Sequence, residues 1–86
     1  MKNMRKFLKL KSYKQAKIAA ELSSYLEKNN VRLSHGASKV SPQLFRLYMI
    51  GKVEFHPKMI DFFKEKFNLS EEFITDEKPY EVEFNG

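Results

Sequence analysis

The chain has no cysteine, only three glycines, three prolines and two histidines in 86 residues. Without cysteine there can be no disulfide staple and no thiolate zinc site of the finger type, and a reducing compartment is the natural expectation. The glycines stand apart at 36, 51 and 86, so no Gly-rich phosphate loop can be drawn. His35 and His56 are too isolated to suggest a metal site, and His56, which precedes Pro57, suits a helix cap better. No apolar run approaches the roughly 20 residues of a membrane span. Lysines also interrupt the first 11 residues, where a secretory signal would need a continuous hydrophobic stretch. A cytoplasmic protein with no membrane association and no cofactor is therefore expected. The acid pairs Glu71-Glu72 and Asp76-Glu77 sit in charged sequence that suits a solvated surface, and no Ser-His-Asp grouping follows from spacing. No enzyme activity is expected.

What the chain does have is apolar mass and polarised charge. Hydrophobic residues make up 42% and aromatic residues 14%, with eight Phe and four Tyr, enough for one core in a single domain over residues 1–86. Residues 1–58 carry 13 Lys and Arg against three Glu, a net +10, whereas residues 59–86 carry three Lys against eight acids, a net −5. The basic pole suits phosphate binding, although lysines also serve solubility alone.

Periodicity predicts a mainly α protein of four to five short helices, with a helical core over 13–74. Residues 13–29 place Ile18, Leu22, Tyr25 and Leu26 on one stripe, with Ser12 as cap and Asn29-Asn30 as the stop. Residues 31–40 are read as a short helix around Gly36. Ser41-Pro42 starts a helix through Ile50 that stops at Gly51, and His56-Pro57 starts another whose face is Met59, Ile60, Phe62, Phe63 and Phe67. Ser70-Glu71-Glu72 opens a last turn ending at Ile74. Residues 1–11 read as a basic arm or strand, since Leu8 and Leu10 alternate with Lys9 and Lys11; Phe7 breaks the alternation and leaves helix open. Residues 79–84 alternate Tyr80, Val82 and Phe84 with Glu81 and Glu83, a candidate strand. The two termini would then form a small two-stranded β ribbon, the alternative being a frayed acidic tail.

The sequence Val40-Ser41-Pro42-Gln43-Leu44-Phe45-Arg46-Leu47-Tyr48-Met49-Ile50-Gly51-Lys52, followed by Pro57, an apolar helix and Asn68-Leu69-Ser70, resembles the phage-repressor-like helix-turn-helix family, the lambda repressor and Cro type. The resemblance spans about residues 15–74 and is best from Val40 onward. It implies a sequence-specific double-stranded DNA-binding transcriptional regulator, commonly a homodimer on a two-fold operator, with helix 41–50 in the major groove. Residues 34–38 would supply the preceding helix; a competing, earlier placement takes Gln15-Ala16-Lys17-Ile18-Ala19-Ala20-Glu21-Leu22 as the first helix of the pair, with the turn from Ser23 onward. In chemical terms, Gln43 can pair adenine and Arg46 can pair guanine O6 and N7. Lys39, Lys52 and Lys58 could hold phosphates, as could Ser41 and the first-turn amides of residues 41–44. Lys2, Arg5 and Lys6 would add salt-dependent affinity. The alternative is a protein-interaction module or inhibitor that binds a protein partner through Leu44, Leu47 and Ile50, which are numerous for a DNA-facing helix.

Overall fold

The computed structural model describes residues 1–80, and within them five helices follow in order: α1 (Lys2–Leu10), α2 (Gln15–Lys28), α3 (Pro42–Met49), α4 (Pro57–Phe67) and α5 (Glu71–Ile74). No strand occurs among the described residues. Residues 1–11 are neither arm nor strand, because Asn3, Met4, Phe7 and Leu8 fall at helical spacing and are all buried. Alternation of Leu8 to Lys11 was the weaker pattern, and Leu10 ends up 62% exposed. Pro79 and Tyr80 form no strand, and the remainder of the candidate strand lies outside the described residues.

Three helix starts follow the expected chemistry. The Ser41 hydroxyl accepts from Leu44 N–H at 3.1 Å, His56 Nδ1 from Lys58 N–H at 3.0 Å and the Ser70 hydroxyl from Phe73 N–H at 3.2 Å. Ser12 does not cap α2. Its φ of 59° ends α1 instead, and α2 begins after Lys14 with no side-chain cap. At the C-terminus of α3, Gly51 (φ +83°) sends its N–H to Tyr48 O and Lys52 sends its N–H to Leu47 O, the paired closure of a Schellman motif.

Residues 31–40 form no helix. Gly36 takes φ +84° with its N–H on Leu33 O, Leu33 N–H donates to Ala37 O, and the Ser38 hydroxyl donates to Val31 O. A left-handed residue at the centre stops helical propagation, and the loop instead drops Leu33 and Val40 into the core.

Helix α2 packs on α3 and α4, α4 on α5, and α1 on both α3 and α5. The core is threaded by aromatic rings in sequence: Tyr48 to Phe55 at 5.6 Å, Phe55 to Phe63 at 6.0 Å, Phe63 to Phe67 at 6.1 Å, Phe67 to Phe7 at 5.2 Å, and Phe7 to Phe73 at 6.4 Å between centroids. Phe63 is fully buried, so truncating it would cost about 3–5 kcal/mol.

Candidate nucleic-acid interface

Helix α3 has a buried and an open side. Phe45, Tyr48 and Met49 are at most 4% exposed, whereas Pro42, Gln43 and Arg46 are exposed. Burial pushes the Tyr48 phenol above its ordinary value, so it stays neutral at the core edge. Gln43 and Arg46 are three residues apart, one helical turn, and so project from the same side. Neither forms an ion pair or a side-chain hydrogen bond among the described residues, which leaves both side chains available to an external acceptor or donor.

The start of α3 is fixed to α2 by Ser23. Its hydroxyl accepts from Val40 N–H at 2.7 Å and donates to Ala19 O at 2.8 Å, so one oxygen ties the α2 backbone to the residue before the α3 cap. Between this junction and the exposed side of α2 lies a groove of about 570 Å³, lined by Ala16, Ala20 and Ser24 on one side and by Lys39, Ser41 and Pro42 on the other. Lys39 and Ser41 are thus brought together. Lys39 is exposed, while its carbonyl accepts from or faces the His35 ring at 3.0 Å.

The remaining expected residues are dispersed. Lys52 is exposed just beyond the Gly51 closure, at the opposite end of α3 from Lys39 and Ser41. Lys58 lies in the first turn of α4 and pairs with Asp61 at 3.6 Å, so its charge is partly offset within its own helix. The first-turn amides of α3 are fewer than expected: Pro42 has no N–H and Leu44 N–H is held by Ser41 Oγ, leaving Ser41 and Gln43. Lys2, Arg5 and Lys6 lie on α1, and Lys9 joins them, which the strand pattern concealed. Helical spacing of Lys2, Arg5, Lys6 and Lys9 was the signal for that face. Ser23 offered less, since a serine in a helix more often bonds only its own preceding turn.

The apolar side chains of α3 are less uncovered than their number suggests. Leu44, Leu47 and Ile50 are all half-buried, and Leu44 packs against the core. The large apolar side chains exposed among the described residues are instead Leu10 and Tyr13, at 62% and 42%.

On the α2–α4 face, the Glu65 carboxylate beside Tyr25, together with burial, pushes that phenol up to about 12. Glu21 pairs there with Lys66. These are packing contacts between two helices. Among the described residues no group of three His, Asp or Glu side chains could hold a metal ion, and no helix is long and apolar enough to cross a membrane. Comparison with known protein families, with curated proteins and with solved structures returned no match.

Proposed function

We propose that the protein is a sequence-specific double-stranded DNA-binding regulator that inserts α3 into the major groove, acting without catalysis and as a dimer on a two-fold site. The observation that carries the reading is the exposure of Gln43 and Arg46 on one turn of a helix whose other side is anchored in the core. A rigid helix with two forked hydrogen-bonding side chains on its open side suits base edges in a groove about 12 Å wide. Lys39 and Lys52, at the two ends of α3, would hold backbone phosphates and fix its register without reading sequence.

A helix-turn-helix pair usually joins its helices through three or four residues. Here α2 and α3 are separated by residues 29–41, and the Ser23 hydroxyl does what a short turn does elsewhere, fixing where the second helix starts. On this reading α2 takes the place of the preceding helix expected at residues 34–38, and no turn follows Leu22, where the competing placement needed one, because α2 continues to Lys28. The partner-binding alternative through Leu44, Leu47 and Ile50 has less support, because all three are already half-buried.

Selection from a random duplex library at two salt concentrations tests the reading. An enriched motif with two half-sites is expected, bound less tightly as salt rises. Arg46→Ala should weaken the selected site by about 1–3 kcal/mol and relax one base position. Enrichment of no motif, or equal binding of the selected site by Arg46→Ala, would exclude α3 as the reading helix.

A further inference from the structure

Away from α3, basic charge is concentrated on the exposed side of α1. Lys2, Arg5 and Lys9 recur at three- and four-residue spacing, so their side chains leave the helix on one side. With Tyr13 and Gln15 they line a groove of about 530 Å³, and no acid is among the residues that line it. All five are exposed, and among the described residues the three cations form no side-chain ion pair. Lys6 also borders the groove, but its ammonium already lies over the Tyr80 ring at 4.7 Å.

Tyr13 gives the groove more than charge. Its ring lies 5.2 Å from that of Phe67 and 6.4 Å from that of Phe7, so two packed aromatics fix where it stands. Even so, 42% of the residue is open to solvent. A fixed, uncovered ring beside three exposed cations matches a chain of phosphates that carries flat bases. Bases within a duplex are stacked on one another, whereas those of a single strand can settle on a side-chain ring. A lipid surface is matched less well. Met4, Phe7 and Leu8 are buried in the protein's own core, which leaves Leu10 as the one large apolar side chain of α1 to insert.

We propose that this groove binds single-stranded nucleic acid without sequence preference, with Lys2, Arg5 and Lys9 on successive phosphates and a base stacked on Tyr13. Lys2 and Lys9 stand about 10 Å apart along the helix axis, the span of roughly three nucleotides at stacked spacing. The site is separate from α3 and does not rest on the reading of that helix as a duplex reader.

Fluorescence anisotropy of a labelled oligothymidylate of about 12 nucleotides, titrated with the full chain, tests the site. Tyr13→Leu keeps apolar packing against Phe7 and Phe67 but removes the flat ring. It should weaken strand binding about fivefold to a hundredfold and leave binding of a random-sequence duplex unchanged, whereas Tyr13→Phe should bind the strand as the parent does. The pair Arg5→Gln and Lys9→Gln should flatten the slope of log affinity against log salt by about 1.4, the share of two phosphate contacts on a single strand. Arg46→Ala should leave strand binding intact. No strand binding by the parent overturns the proposal, as does equal weakening of strand and duplex by Tyr13→Leu. Loss of strand binding in Arg46→Ala overturns it too, because the strand would then lie on α3. Tighter binding to phosphatidylglycerol vesicles than to the strand, lost in Leu10→Ser, would assign the face to lipid instead. If Tyr13→Leu does not fold, the salt slope of the glutamine pair decides: an unchanged slope removes the phosphates from α1.

Discussion

The carboxylate of Asp76 accepts from Lys2 N–H and Asn3 N–H, both at 2.8 Å, and thereby caps a helix that lies more than seventy residues earlier in the chain. Burial opposes its ionisation, but the two amides and the Met1 ammonium at 3.6 Å outweigh that and hold the carboxyl below its ordinary value. Its contribution to stability is therefore complete above the unfolded aspartate pKa of about 3.9 and is lost as pH falls through the lower folded value. Asp76→Asn keeps a side chain that tolerates the φ of 67° and removes the charge and one acceptor. It should lower unfolding free energy by about 1 kcal/mol at neutral pH and flatten the decline below pH about 4 in urea titrations. Ser23 is the other residue with an effect beyond its own turn. Ser23→Ala would leave Val40 N–H without its acceptor at a residue only 2% exposed, a loss of about 1–3 kcal/mol. The melting temperature should fall by roughly 4–8 °C per kcal/mol, and Ser23→Thr should restore much of it. A melting temperature unchanged by Ser23→Ala would remove Ser23 from the α2–α3 junction.

At the scale of the element, four helices close with the same pair of hydrogen bonds, yet only α3 does so with glycine. Ser12, Asn30 and Asp76 take the left-handed position after α1, α2 and α5, at φ values of 59°, 56° and 67°. Asparagine and aspartate visit this region more readily than serine does. Ser12→Gly should therefore stabilise the fold by a few tenths to about 1 kcal/mol, and a lower denaturation midpoint would contradict the strain. The same comparison explains which element ends were legible in the sequence. Ser41-Pro42, His56-Pro57 and Gly51 announce themselves because their side chains, or lack of one, suit a single backbone state. Ser12 has no such specificity: it suits a cap and can be forced into a stop, and only the burial of Phe7 and Leu8 behind it decides the matter.

Across the whole molecule, the mainly helical architecture was readable because Ile18, Ala19, Leu22 and Leu26, or Met59, Phe62 and Phe63, mix odd and even positions that no strand could bury on one side. On α3, Gln43 and Arg46 could be placed because Phe45 and Tyr48 beside them had to turn inward. The α1 face was not, because Leu8 and Leu10 alternating with Lys9 and Lys11 suggested a strand, and the choice was made by α3 and α5 packing on Met4, Phe7 and Leu8 from farther along the chain. Residues 29–41 were opaque for a related reason: what holds them is one hydroxyl on α2 and a left-handed glycine, neither of which leaves a periodic trace.

The borrowed cap on α1 also sets an order of events during synthesis. A nine-residue helix is marginal alone, and α1 has no acid in its first turn and no cap of its own. Its amides wait for Asp76, and the buried Asn3 side chain waits for the carbonyls of Phe73 and Lys78. Helix α1, though made before α5, is thus secured only after it. Until residue 78 has been made and has emerged, the cations of α1 sit on a segment that lacks its cap.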